Sequence, residues 1–154
     1  MDATRQTFLD ELYAHGRAYD EKRDDRIERL RNVEPETAEL LGVLVRALSA
    51  TRVLELGTSN GYSTIWLGDA AEALSGYEDG AFDLVFLDAE RREYASYWPD
   101  LVRGLRPRGL LVVANTLSHA KELVEFSELV YSAEGVTSTL VTVGAGVLLI
   151  VKSP

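Results

Sequence analysis

Two rhythms of apolar and polar positions run through this chain. Three short stretches, "TRVLEL" (51–56), "FDLVFLD" (82–88) and "GLLVVAN" (109–115), are almost continuously apolar. Runs this short with no polar face are expected of strands covered on both sides. The second rhythm is helical. "EPETAELLGVLVRALSA" places Leu40, Leu41, Leu44, Val45 and Leu48 on one stripe, with Pro35 in the first turn and Glu36 and Glu39 near the positive end of the dipole. "RQTFLDELYAHGRAY" sets Phe8, Leu9, Leu12 and Tyr19 at roughly helical spacing, and the charged "DEKRDDRIERLR" after it reads as a solvated helix face. "REYASYWPDLVRGLRPRG" predicts a helix closed by Gly and Pro signals, and "AKELVEFSELVYS" predicts another. "TSTLVTVGAGVLLIVK" reads as two strands joined around Gly144 and Gly146. Strands alternating with helices give an α/β fold, a mostly parallel sheet closed by a C-terminal antiparallel hairpin. By length the 154 residues make a single domain, with 1–32 as a helical N-terminal extension.

Charge narrows the partners. A net charge of −9 disfavours the phosphate backbone of nucleic acid, which selects basic faces. No run approaches the ~20 apolar residues of a membrane span. The polar N-terminus has no apolar signal core and the chain has no cysteine, so the expected location is cytoplasmic. A small molecule is the expected partner, and a homodimer is left open.

In an open parallel sheet, ligands sit beyond the carboxyl ends of the strands. Those ends are Glu55 to Gly61, Asp88 to Arg91, and Ala114 to His119. In "ELGTSNGYS", Gly57 and Gly61 permit a tight turn and close approach of a ligand, and the following helix offers free N–H groups. On this reading a bulky residue at 57 would block the ligand and leave the fold largely intact. The G-x-G-x-x-G pattern of a nicotinamide-binding loop is absent. In its place Glu55 stands at the strand tip, where it would repel a pyrophosphate and suit a cofactor with an ammonium or sulfonium charge.

The stretches "VLELGTSNGYSTIWL", "FDLVFLDAERREYASYW" and "GLLVVANTLSH" resemble the glycine loop and the fourth- and fifth-strand motifs of S-adenosylmethionine-dependent O-methyltransferases of the catechol and caffeoyl-CoA type. The resemblance runs from about Val33 to the C-terminus and implies a class I methyltransferase fold, Rossmann-like, acting on a hydroxyl of a small, aromatic or other, acceptor. It implies that Gly57, Ser59, Gly61 and Ser63 line the methionine part of S-adenosylmethionine, that Glu55 neutralises its charged end, and that Val33 packs on it. It further implies that Asp69 and Ala70, in "GDAAEAL", meet the adenine, although Asp69 also reads as an ordinary helix cap.

The departures from the family pattern carry as much meaning. Cation-dependent members hold magnesium with oxygen ligands; Asp88 and Asn115 match two of them, and Ala114 stands where a third carboxylate belongs. Where the family has a lysine base, this chain has Arg91, which stays protonated and can steady an oxyanion or a substrate carboxylate. His119 is the local alternative as a base, because an imidazole titrates near neutral pH; it also reads as a solvent-facing residue at a helix start. His15 reads as surface, and Tyr94, Tyr97 and Trp98 read as core before acceptor contacts. In the family, a second strand ending in a ribose-binding acid and a third strand precede the "GDA" segment; here "STIWL" runs straight into it. The skipped piece amounts to roughly 30 or more residues, and a direct crossing to "FDLVFLD" would be left-handed where about 98% are right-handed. The sequence is therefore read as discontinuous between Leu67 and Gly68. The rival to an active enzyme is a degenerate, cofactor-binding domain without turnover.

Overall fold

The computed structural model describes residues 3–25, 28–57, 59–63 and 77–154. The junction of Leu67 and Gly68 lies outside these residues, as do Asp69 and Ala70.

Helix α1 (Ala3–Asp20) and helix α2 (Pro35–Ala47) precede strand β1 (Val53–Leu56). Strand β2 (Phe82–Leu87), helix α3 (Tyr94–Gly104) and strand β3 (Leu105–Val113) follow. The chain then forms helix α4 (Val124–Ser132) and the strands β4 (Val136–Val141) and β5 (Val147–Lys152). Among the described residues the strands form one sheet in the order β1-β2-β3-β5-β4. β1, β2 and β3 are parallel neighbours; β5 runs against both β3 and β4. This is the expected α/β sheet with its closing hairpin.

Alternation within the apolar runs sorts side chains to the two faces. Val53, Leu84, Phe86, Leu110 and Val112 pack with Leu9 of α1 and Ala38 and Leu41 of α2. Leu54, Val85, Leu87, Leu111 and Val113 pack with Leu101 of α3 and Phe126 and Val130 of α4. Every residue of β2 is buried, which is why its sequence shows no polar side. The sheet is thus the middle layer of three, and the carboxyl ends of β1, β2 and β3 share one rim. Among the described residues no helix is long and apolar enough to cross a membrane.

Two expectations are corrected. The charged stretch after α1 is not a helix where it is described: a turn follows Asp20, whose carboxylate accepts the N–H groups of Leu30 at 2.6 Å and Arg31 at 2.9 Å and so folds the chain back. The segment "LRPRG" belongs to β3, not to the end of a helix. The register jumps from Phe82↔Leu105 to Leu84↔Leu110, so residues 106–109 bulge out and Pro107, which lacks an N–H, owes none to the ladder. Asp83 fixes the bulge: its carboxylate takes Arg106 Nε at 2.5 Å and the N–H groups of Thr51 and Arg52 at 2.9 Å each. Beside the bulge, Lys152 Nζ on β5 donates to the carbonyls of Val102 and Leu105, both at 2.8 Å, where α3 gives way to β3.

Candidate active site

β1 and β2 deliver the glycine loop and Asp88 side by side. The Asp88 N–H donates to the Leu56 carbonyl at 2.8 Å, extending the ladder one residue past β2. Gly57 then turns with φ +99°, and a Cβ built on it would lie 2.0 Å from the Asp88 carbonyl oxygen. Gly57 is therefore glycine because the β2 backbone lies against it. This corrects the expectation that a larger residue here would spare the fold. Gly61, at φ +86°, has nothing within 4 Å of an added Cβ and leaves its backbone open.

The other loop residues are tied down. Ser59, itself at φ +51°, donates its hydroxyl to the Leu30 carbonyl, which joins the loop to the segment before α2. Asn60 Oδ1 accepts the Tyr62 N–H at 3.2 Å, and the Tyr62 ring stacks 5.3 Å from that of Tyr13 on α1. The buried Ser63 donates to Glu55 Oε1, so the strand-tip acid and the first turn beyond the loop are linked. Val33 is buried with Leu9, Leu41 and Ala114 in the layer beneath.

Asp88 and Asn115 meet, as their places at the tips of adjacent strands require: Asn115 Nδ2 donates to Asp88 Oδ1 at 2.8 Å, with Asn115 in the left-handed region at φ +60°. Burial pushes the Asp88 carboxyl above its ordinary pKa, opposed by the Asn115 hydrogen bond and the charges of Arg91 and Arg31. Arg91 opens a single 3₁₀ turn, Arg91–Glu93, and is only 5% exposed. Its Nη1 stands 3.9 Å from Glu122 Oε2, and neither Nε nor Nη1 has a hydrogen-bond partner. His119 sits one turn beyond Asn115, its N–H donating to the Asn115 carbonyl at 3.1 Å and its Nδ1 2.8 Å from Ser118 Oγ. Tyr94, Tyr97 and Trp98 are on the core side: Tyr94 is fully buried and, with Trp98, packs edge-on to Phe126.

A cleft of about 340 Å³ opens over this rim, lined among others by Arg31, Gly57, Ser59, Asp88, Glu90 and Arg91. A second, of about 350 Å³, lies beside Leu56, Gly57, Ala89 and Tyr97. The donor set at Asp88 does not fit a magnesium ion. Ala114 is 1% exposed in the apolar layer and offers only a methyl group, and Asn115 turns N–H donors, not oxygen, toward the carboxylate. No group of three or more acids and histidines among the described residues is placed to hold a metal.

The sequence pattern did not point to Leu30 and Arg31, which wall the cleft, or to Glu122 beside Arg91. For the first pair the only signal is adjacency to Val33; for Glu122 it is a position three residues past His119, at the mouth of α4.

A family model described as O-methyltransferase matches residues 64–153, more than half of the chain. The chain belongs to the O-methyltransferase family. Among curated relatives of the chain, a catechol O-methyltransferase of Niastella koreensis is 28% identical, over 62% of this chain and 63% of that one. Another, from Mycobacterium tuberculosis, is 27% identical over 60% of each. The matched chain thus spans about six-tenths of the length of these relatives. An O-methyltransferase from Bacillus cereus, solved in complex with SAH (S-adenosylhomocysteine), superposes with a TM-score of 0.70 at 20% identity, over 99% of this chain and 92% of that one. The class I methyltransferase fold is shared.

Proposed function

We propose that this protein transfers a methyl group from S-adenosylmethionine to a hydroxyl of a small acceptor, the reading that joins family membership to the arrangement on the sheet rim. The single observation that carries it is the contact of Gly57 with Asp88. It brings a backbone turn and a buried carboxylate to one edge of the cleft, with Glu55 one strand residue away. Two acids and an open backbone at Gly61 suit the α-ammonium and sulfonium charges of the methionine end, and Ser59 and Ser63 hold the loop in that shape. The match of the loop to the family pattern supports assigning Gly57, Ser59, Gly61, Ser63 and Glu55 to the cofactor. It supports the same assignment for Val33, Asp69 and Ala70.

S-adenosylmethionine supplies the electrophilic methyl; the protein's part is to hold the acceptor oxygen in line with it and remove its proton. Asp88 and Asn115 orient the reacting groups, and His119, on the loop leaving β3, is assigned as the base. No step is assigned to a divalent cation. The cytoplasmic location and the absence of nucleic-acid partners belong to the same reading, which the net charge of −9 supports in the last case, and a homodimer is left open.

The test is calorimetry with S-adenosylhomocysteine together with transfer of labelled methyl to a panel of catechols, with magnesium and with chelator. Binding with turnover in both conditions is expected. Binding without turnover on any acceptor would favour a degenerate domain; no binding would refute the reading.

A further inference from the structure

The least explained group on the rim is Arg91. An arginine keeps its charge at any accessible pH, and burying its donors without acceptors is unfavourable. Yet this side chain is 5% exposed, and Nε and Nη1 lack any hydrogen-bond partner. Glu122 Oε2, 3.9 Å from Nη1 and so beyond hydrogen-bond range of that donor, offsets part of the charge, and Asp88 acts on it through space. Other arginines in this chain are satisfied: Arg103 reaches Asp79 and Asp100, and Arg106 reaches Asp83. Arg91 alone of these three lines the cleft. A guanidinium held in the wall of a cleft, with donors unfilled and its paired carboxylate just out of hydrogen-bond range, is a receptor for an oxyanion, which it binds through charge-assisted N–H bonds.

We propose that Arg91 binds an anionic oxygen of the acceptor, so that the preferred acceptor is a hydroxylated acid whose carboxylate docks on this guanidinium. The inference rests on the methyltransferase reading for the word acceptor, but not for the anion site itself. It also gives a physical role to the misfit at Ala114: a fixed organic cation stands within reach of Asp88, on a rim whose oxygen donors do not suit a metal. Glu122 has two functions on this view. It keeps the guanidinium tolerable when the cleft is empty, and it competes with the incoming anion, which sets the affinity.

The probes are 3,4-dihydroxybenzoate, its methyl ester and catechol, titrated calorimetrically into the whole protein, without cofactor and with S-adenosylhomocysteine, in the presence of chelator. Wild type should bind the carboxylate at least roughly tenfold more tightly than the ester, as expected for a charge-assisted pair. Tighter binding of the ester than of catechol, with no preference for the carboxylate, would mean that the anionic oxygen is a phenolate, since the ester group acidifies the ring hydroxyls, and would overturn the carboxylate assignment. Arg91→Met should reduce the carboxylate preference to near unity, and Arg91→Lys should keep only part of it. Glu122→Gln should tighten carboxylate binding severalfold, a gain that a purely structural pair would not produce. Melting by circular dichroism identifies folded variants, and if Arg91→Met does not fold, the Arg91→Lys and Glu122→Gln results decide. Equal affinity for acid and ester in wild type, or a preference unmoved by Arg91→Lys and Glu122→Gln, would overturn the proposal. A protein that selects the carboxylate through Arg91 yet ignores S-adenosylhomocysteine would remove the methyltransferase reading and leave the anion site standing.

Discussion

Replacing Gly57 by alanine tests the construction of the rim at its tightest point. The new Cβ would start 2.0 Å from the Asp88 carbonyl oxygen, against the 3.0 Å below which such contacts are essentially never seen. The tips of β1 and β2 would have to part by about 1 Å, a separation that strains or breaks the 2.8 Å bond from the Asp88 N–H to the Leu56 carbonyl. Losing that bond in a buried setting costs about 1–3 kcal/mol. Holding an L-residue at φ +99° costs about 1–2 kcal/mol more. The total of roughly 2–5 kcal/mol is a large share of the stability of a domain this size. At about 2–4 °C per kcal/mol, melting should fall by roughly 4–20 °C. Thermal unfolding followed by circular dichroism reads this directly, and calorimetry with S-adenosylhomocysteine should show weakened binding in the same variant, because the loop and Asp88 move together. An alanine variant that melts within about 2 °C of wild type would refute the account. A ligand-side role for Gly57 would then have to explain any loss of binding.

Asp88→Asn should raise melting at pH 7, because burial makes the charged carboxylate unfavourable and the amide still accepts from Asn115; the gain should vanish below about pH 4, where the unfolded-state carboxyl is protonated as well. A stability unchanged or lowered at pH 7 would contradict the burial argument. Asp83 has the opposite sign: burial pushes its carboxyl up, but the N–H groups of Thr51 and Arg52 and the Arg106 side chain outweigh this and hold it at about 2. Its contribution is therefore complete above the unfolded value near 3.8 and lost as pH falls toward about 2; chemical denaturation of wild type and Asp83→Asn across pH 2–5 should show a steep slope only in the former. His119→Gln should lower kcat by about 10²-fold or more with little change in S-adenosylhomocysteine affinity, and an equal loss in both would remove His119 from the base role. Ser59→Ala, which unties the loop from Leu30, should weaken cofactor binding about threefold to tenfold with melting nearly unchanged, as for loss of one exposed hydrogen bond.

Much of the layered fold can be read from the chain because its signals are dense and local. Strands buried on both faces have to be apolar along nearly their whole length, so 82–87, with Asp83 as its one polar residue, is evident without any partner. The meeting of Asp88 with Asn115 also follows, since residues that end neighbouring parallel strands share a rim. Positions whose meaning depends on a distant backbone are not legible in the same way. Gly57 reads as a glycine for a ligand, and only the Asp88 backbone lying over it shows that the fold requires the glycine as well. "LRPRG" reads as a stop because proline and glycine usually are one; a bulge anchored by Asp83 overrides that local preference. The charged run after α1 has helical composition, but the Asp20 carboxylate takes the N–H groups of Leu30 and Arg31 and folds the chain back. Arg91 looks like surface by residue type, and its burial follows from the turn that places it between Asp88 and Glu122.

Lys152 gives the far side of the layer an unusual dependence. The ammonium that fills the last carbonyls of α3 comes from a residue 50 positions downstream of Val102, so the end of that helix is completed by the final strand. Breathing of β5 away from the sheet leaves the Val102 and Leu105 carbonyls without their donor, and fraying of α3 deprives the ammonium of its Val102 acceptor. The two segments should therefore open as one unit in amide hydrogen exchange, with protection of α3 amides near Gly104 following that of β5 more closely than that of the first turn of the same helix.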